Sequence, residues 1–467
     1  MRVNHRFGLN ETSFGSCVLV AIICLASSVS IRAQVINSGV AGNNAVYSAS
    51  KTISPSTAFV DASALSGTDF CGKITAALQV LNTTTGAAGG GVIDARGINP
   101  GSTNSCSVSP WASSTLTAFP AAVILLPAGT ITLQPGANWI LPNATRIIGE
   151  GPGSSGASMT SPSVTTITVA TGFSGDMIEM GWESTTPPTG YPFSPCPIKN
   201  SNVTACFGVS VESLSLNGGG STLTGVVGIE NDISQERSYV DRVSMYSMAG
   251  TGLKIGAQPQ PTSGCCQAQN SGPYSSIYFE ASGTASTCAN ILGQGDLRGI
   301  HGITCIGNGS TNAAIYLDSS NVTIEDAHID GFTTGILVGS NSTSTTNPVR
   351  GNVLLNIAGS VDSGSMSYLI EISSNNSSNT MDLSILGATS LHDSIGNPTN
   401  TIYDQLSNTT LPYTTDSHVS MYVLGESIPI VGTTAAYSRF TTSPTYPSWA
   451  VGSVALTSGA ACTSVGS

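Results

Sequence analysis

One short unit, apolar-x-x-apolar-x-apolar, recurs along this chain and narrows its possible folds more than any other feature. Clear copies stand at Val211/Leu214/Leu216, Val240/Val243/Met245, Tyr274/Ile277/Phe279, Ile300/Ile303/Cys305 and Ile324/Ala327/Ile329. Weaker ones read as Asn352/Leu355/Ile357 and Thr380/Leu383/Ile385, and successive copies start 24–34 residues apart. A second apolar strand follows each clear copy: "GVVGIEN", "GTGLKIG", "CANILG", "NAAIYLD" and "TGILVGS". A helix would need an unbroken 3.6-residue period, which Gly331 and Gly335 interrupt in the most regular copy. Repeats of this length build solenoids or propellers, and a propeller blade takes about 40–45 residues, too many for these units.

Each unit therefore reads as one coil of an all-β, single-stranded, right-handed parallel β-helix. Every strand bonds to its counterpart in the next coil, ~4.8 Å away, and stacking buries the apolar face that no coil can bury alone. The intervening Ser, Thr, Asn, Asp and His point outward. Charged residues make up only 9% of the 467, glycine numbers 53 and mean hydropathy is +0.17, values that exclude disorder and disfavour a helical protein. One helix does stand out. In "TDFCGKITAALQVL" (68–81), Phe70, Ile74, Ala77, Leu78 and Leu81 share a face, and Thr68 or Asp69 can accept the first free N–H groups. Its role is to cap the exposed first coil.

Downstream of that helix, "GGGVIDARG", "VILLPAGTITL", "WILPNATRIIGEGPGSSG" and "GVSVESLSLNGG" follow in order. Together with the Leu126-Pro127-Ala128-Gly129-Thr130 turn and the Gly149-Glu150-Gly151 corner, they resemble the opening of a secreted pectate-lyase-superfamily β-helix. The resemblance spans roughly residues 58 to 390 by the repeat criterion. It implies the fold and contact with polysaccharide, but no site motif matches residue by residue. The superfamily also includes tailspikes and non-catalytic surface proteins, so fold does not decide function.

Residues 1–33 have the pattern of a secretory signal: Arg2, His5 and Arg6, the apolar run Cys17–Ala26, and a cleavage point at Ala33. A linker at 34–57, the β-helix at 58–412 and a C-terminal cap or further module at 413–467 complete the expected organisation. The last region is a candidate oligomer contact. No apolar run reaches the ~18 residues of a membrane span. Without residues 1–33 the chain holds 11 basic and 25 acidic residues, a net charge of −14. That excludes a nucleic-acid partner and favours a neutral extracellular polysaccharide, since an anionic one would need bridging Ca²⁺. Disulfides suit such a location. The spacings allow Cys71–Cys106, Cys196–Cys206, and Cys288 with Cys265 or Cys266.

Stacking the copies concentrates chemistry between about 240 and 330. Glu212, Asp241, Ser275, His301 and Glu325 share one outward position; Ser215, Ser244, Tyr278, Thr304 and His328 share another. Hydrolysis needs two carboxyls flanking the scissile bond. Asp326 and Asp330 are the expected pair, with His328 or His301 moving protons. β-Elimination needs a base, Arg298 or Arg242, and a cation held by Asp296, Asp326 and Asp330. Glu325, Asp241, Arg242 and Tyr278 are the expected substrate contacts. The competing expectation is a surface or adhesion protein whose polar outer residues are merely solvated.

Overall fold

The computed structural model describes residues 57–85, 90–153, 162–200, 203–256, 268–292, 296–340, 349, 351–360 and 366–373. It also describes the strands 383–385, 388–390, 400–404, 409–410 and 419–421. The leader, nearly all of the 34–57 linker, Cys265, Cys266, Cys462 and most of 413–467 lie outside these residues.

Three parallel ladders run through the described residues. The first joins Thr57–Asp61, Gly90–Asp94, Ala121–Leu125 and Thr145–Ile148. It continues through the leading parts of Ser210–Asn217, Tyr239–Met248, Tyr274–Ala281, Ile300–Asp318, Thr323–Val338 and Asn352–Ser360. Leu383–Ile385 and Val419–Met421 extend it beyond residue 412, where the repeat is no longer legible in sequence. The second ladder starts with Ser102–Cys106, Gly129–Leu133 and Thr165–Val169 and takes up the trailing parts of the same strands from Ser215 onward. The third joins Trp139–Leu141, Gly175–Met180, Val226–Asn231, Thr251–Ile255 and Thr287–Leu292. It then passes through 313–318 and 334–338 to Tyr368–Ile372 and Asn400–Asp404.

From Ser210–Asn217 to Asn352–Ser360, each coil turns between the first and second ladders on one left-handed residue. Ser213, Arg242, Ser276, Gly302, Asp326 and Asn356 occupy that corner, with φ between 53° and 66°. The left-handed region costs an L-residue about 1–2 kcal/mol, and Asn and Asp populate it more readily than most. A single such residue lets both flanking apolar positions face inward, which explains the two-residue gap in the repeat. The innermost column (Val60, Ile93, Ile124, Ile147, Val211, Val240, Tyr274, Ile300, Ile324 and Leu354) is buried throughout. Tyr274 keeps its hydroxyl satisfied there, accepting from Asn231 Nδ2 at 2.7 Å and lying 2.8 Å from Ser271 Oγ.

The capping helix spans Phe70–Thr85. All five residues of its expected face are buried. Asp69 Oδ1 accepts from Gly72 N at 2.8 Å, and Asp69 Oδ2 accepts from Ser107 N and Oγ at 2.6 Å, so the N-cap also ties the helix to the second ladder. The Cys71–Cys106 disulfide repeats that tie. A Cβ on Gly91 would lie 2.6 Å from Leu81 Cδ2, a measure of how closely the helix seats on the first coil.

Two sequence expectations need correcting. The weaker repeat copies are out of register: Ile324 pairs with Leu354, not Asn352, and Leu354 pairs with Ile385, not Thr380. The inward position matching Ile329 is taken there by Gly359, whose lack of a side chain blurs the apolar pattern. Cys288 bonds Cys305 rather than Cys265 or Cys266. The repeat places Cys305 at an inward position in the coil after Cys288, so the bond crosses the core. Cys196–Cys206 forms as the spacing allows. Among the described residues no helix is long and apolar enough to cross a membrane.

Candidate functional site

Two outward faces carry the charged groups. On the first ladder, register aligns Glu212, Asp241, Ser275, His301 and Glu325 in one column. At its start Glu212 Oε1 accepts from Arg146 Nη2 at 2.8 Å, Ser210 Oγ at 2.8 Å and the Tyr239 hydroxyl at 2.9 Å. Further along, Asp241 holds Ser275 Oγ at 2.7 Å and Arg242 Nε at 3.0 Å. His301 Nδ1 lies 2.9 Å from Glu325 Oε2, and its Nε2 lies 3.2 Å from the Arg298 carbonyl oxygen. These side chains are 37% and 36% exposed.

The other expected residues diverge from this column. Asp326 and Arg242 sit at the exposed corner, where Asp326 Oδ1 accepts from Asn356 Nδ2 at 3.1 Å. His328 and Tyr278 stand on the second ladder, beside Ser360 Oγ and Glu280 Oε2, each at 3.4 Å. Asp330 is buried on that ladder. Asp296 precedes the first ladder and accepts from Asn321 Nδ2 at 2.7 Å, and Arg298 is exposed. Asp296, Asp326 and Asp330 thus lie apart. No group of three or more metal-ligating His, Cys, Asp or Glu side chains occurs among the described residues. The Ca²⁺ expectation finds no ligand set there, and no chemical step is assigned to the ion.

The third ladder gathers a denser cluster. Register places Glu179, Glu230, Lys254, Asn290 and Tyr316 in one column, with Asp176 on the strand that supplies Glu179 and Asp232 just past the end of the strand that supplies Glu230. Lys254 Nζ pairs with Glu230 Oε1; the lysine side chain is 28% exposed and the glutamate 8%. Burial pushes Asp176 up to about 8, helped by its hydrogen bond to Glu230 and that group's charge. Burial likewise pushes Asp232 to about 8, with the Glu230 charge next. Glu179 is raised well above the carboxylate range, by burial first and then by Asp176 and Glu230. Burial would also raise Glu230, but hydrogen bonds from Asp176, Lys254 and Asp232 outweigh it and hold its carboxyl below the usual value. One ionised carboxylate is thereby flanked by neutral carboxylic acids, the separation of protonation states that acid–base chemistry requires. Asp232 Oδ1 is buried without a hydrogen-bond partner, which costs about 1–3 kcal/mol that packing alone gives no reason to retain.

Sequence reasoning missed this cluster although part of it was legible. Aligning "GVVGIEN", "GTGLKIG", "CANILG" and "NAAIYLD" sets Glu230, Lys254, Asn290 and Tyr316 in one column. Asp176 and Glu179 gave no such signal, because "GDMIEM" precedes the first clear copy.

No family model matches the sequence, and a search of curated proteins finds no match. Among solved structures, the A-module of Azotobacter vinelandii mannuronan C-5 epimerase AlgE4 aligns at 12% identity and TM-score 0.29, over 65% of this chain and 89% of its own. The AlgE6 A-module aligns at 11% and 0.27, over 78% of this chain and all of its own. Likeness this distant bears on neither site nor reaction; the strand register itself establishes the parallel β-helix.

Proposed function

We propose that this is a secreted β-helix that acts on extracellular polysaccharide, hydrolysing a neutral glycan along the outer face of the third ladder. The observation that carries the reading is the hydrogen-bonded group of Asp176, Glu230 and Asp232, with Lys254 as counter-ion. Asp176 and Asp232, neutral at pH 7, are the candidate donors to the leaving glycosidic oxygen as the C–O bond breaks. The ionised Glu230 carboxylate stabilises the positive charge that develops on the sugar ring, and the water that adds to the anomeric carbon returns a proton to the carboxyl group, which restores the starting state. Lys254 keeps Glu230 ionised. Asn290 and Tyr316, one and two coils further along, supply polar and aromatic contacts to the chain. A net charge of −12 and a cluster this acidic oppose an anionic polymer. The leader-like residues 1–33 and the three disulfides among the described residues support an extracellular location.

The experiment exposes the purified protein to neutral and uronate polysaccharides and follows new reducing ends, with Glu230→Gln alongside. Release from a neutral glycan that the variant abolishes supports the reading. A Glu230→Gln protein as active as the parent removes the third ladder from the chemistry.

A second reading rests on the His301–Glu325 contact. A carboxylate orienting a histidine is the arrangement of a general base, and Arg298, Asp326, His328 and Asp330 belong to the same or the adjoining coil. It predicts unsaturated uronate products, read by ultraviolet absorbance, that His301→Ala abolishes and Glu230→Gln spares. Retention of a glycan without turnover of any substrate would instead identify a non-catalytic binding scaffold.

A further inference from the structure

A pocket of about 500 Å³ opens where the chain enters the first ladder. It lies between residues 117–121, Asn143–Ala144 and the segment 193–197 that leads into the Cys196–Cys206 disulfide. Its size falls in the range of small-molecule sites, ~300–1,000 Å³. The rings of Phe119 and Phe193 meet edge to face at 6.0 Å, and Phe193 remains 42% exposed. Asn143 is fixed through its backbone, donating to the Pro195 carbonyl at 3.0 Å, and through Oδ1, which accepts from Phe207 N at 2.8 Å. Neither contact uses its Nδ2, and the exposed Thr117 is a second polar group in the lining. No lining residue carries a charge.

From this lining we infer that the pocket is an accessory saccharide-binding site, which takes one uncharged glycosyl unit against Phe193 with hydroxyls on Asn143 and Thr117. An aromatic face beside a few fixed polar groups suits a ring with one apolar face and a polar rim, and an uncharged lining selects against uronates. The segment that carries Phe193 leaves the third ladder at Gly181, directly after the strand bearing Asp176 and Glu179. Its other wall leads into Thr145–Ile148 of the first ladder. The site is therefore tied by one loop to the proposed reaction centre. The choice of a neutral glycan rests on the reading given above, but binding here does not depend on catalysis.

The test uses affinity electrophoresis and calorimetry with neutral glucan, xylan and mannan oligosaccharides and with oligogalacturonate. All proteins carry Glu230→Gln so that no substrate is consumed. Phe193→Ala is expected to weaken binding of a neutral oligosaccharide about tenfold, and Thr117→Val by less. Ile198→Ala, exposed nearby but outside the pocket, should bind like the parent. Unchanged binding in Phe193→Ala, preference for the uronate, or no binding of any neutral oligosaccharide overturns the inference. Phe193-dependent binding in a protein whose parent hydrolyses nothing would leave this site standing while the hydrolase reading falls.

Discussion

The outer faces of the first and third ladders come from the same solenoid, with the same spacing between coils, yet they treat charge differently. On the first, His301 and Glu325 stand more than a third exposed, and Asp241 pairs with an exposed Arg242. On the third, Glu230 is almost covered and its neighbours are packed closely enough that Asp176 and Asp232 stay protonated near neutrality. Register brings like groups together in both places. Desolvation is what makes the second collection a candidate acid–base system, so in a β-helix a column of polar residues is not by itself a site.

Several measurements can break or sharpen that contrast, beginning with the largest effect. Glu230→Gln should lower hydrolysis about 10³-fold, within the range of general acid–base groups, whereas Glu325→Gln should lower it less than twofold; initial rates of reducing-end release compare the two. Lys254→Met strands the buried Glu230 carboxylate and should destabilise the protein by up to about 3 kcal/mol, read from urea unfolding. Arg242→Ala on the first face should change stability by under about 0.5 kcal/mol.

Proton linkage separates the faces in a third way. Asp176 and Asp232 have folded-state values near 8, above the ~3.9 of an unfolded aspartate. The folded protein therefore binds more protons than the unfolded chain between about pH 4 and 8, and stability falls as pH rises through that window. Asp232→Asn should flatten part of the slope, raising the melting temperature at pH 8 relative to the parent and not at pH 4. Thermal melts across pH 4–9 show the sign directly. Above about pH 8 hydrolysis should fall as the proton donors ionise. The smallest expected effect lies between the faces: Ser276→Gly, at a corner with φ 54°, should add up to about 1 kcal/mol by removing left-handed strain.

The fold was legible because a solenoid writes its geometry into a period. Val211, Val240, Tyr274, Ile300 and Ile324 announced their column, and the helix announced its buried face. Register failed where Gly359 takes the place of an inward apolar residue, since nothing in the pattern then marks which residue turns in. The corner role of Arg242 and Asp326 was illegible for a different reason. Both have the chemistry of site residues, and only the backbone shows them serving as left-handed hinges. For the third-ladder cluster the residue types were visible, but burial, which shifts their protonation, is a property of the folded surface.

The Cys288–Cys305 bond has a mechanical consequence. A β-helix pulled from its C-terminal end peels coil by coil, and each coil of 24–34 residues pays out roughly 80–120 Å of chain. The coil held by this bond cannot release the 17-residue span between the two cysteines. In oxidised protein that step of a force–extension trace is roughly 60 Å shorter than in reduced protein. The locked span contains His301 and lies C-terminal to Lys254, so an intact bond makes the two faces separate under load as distinguishable events.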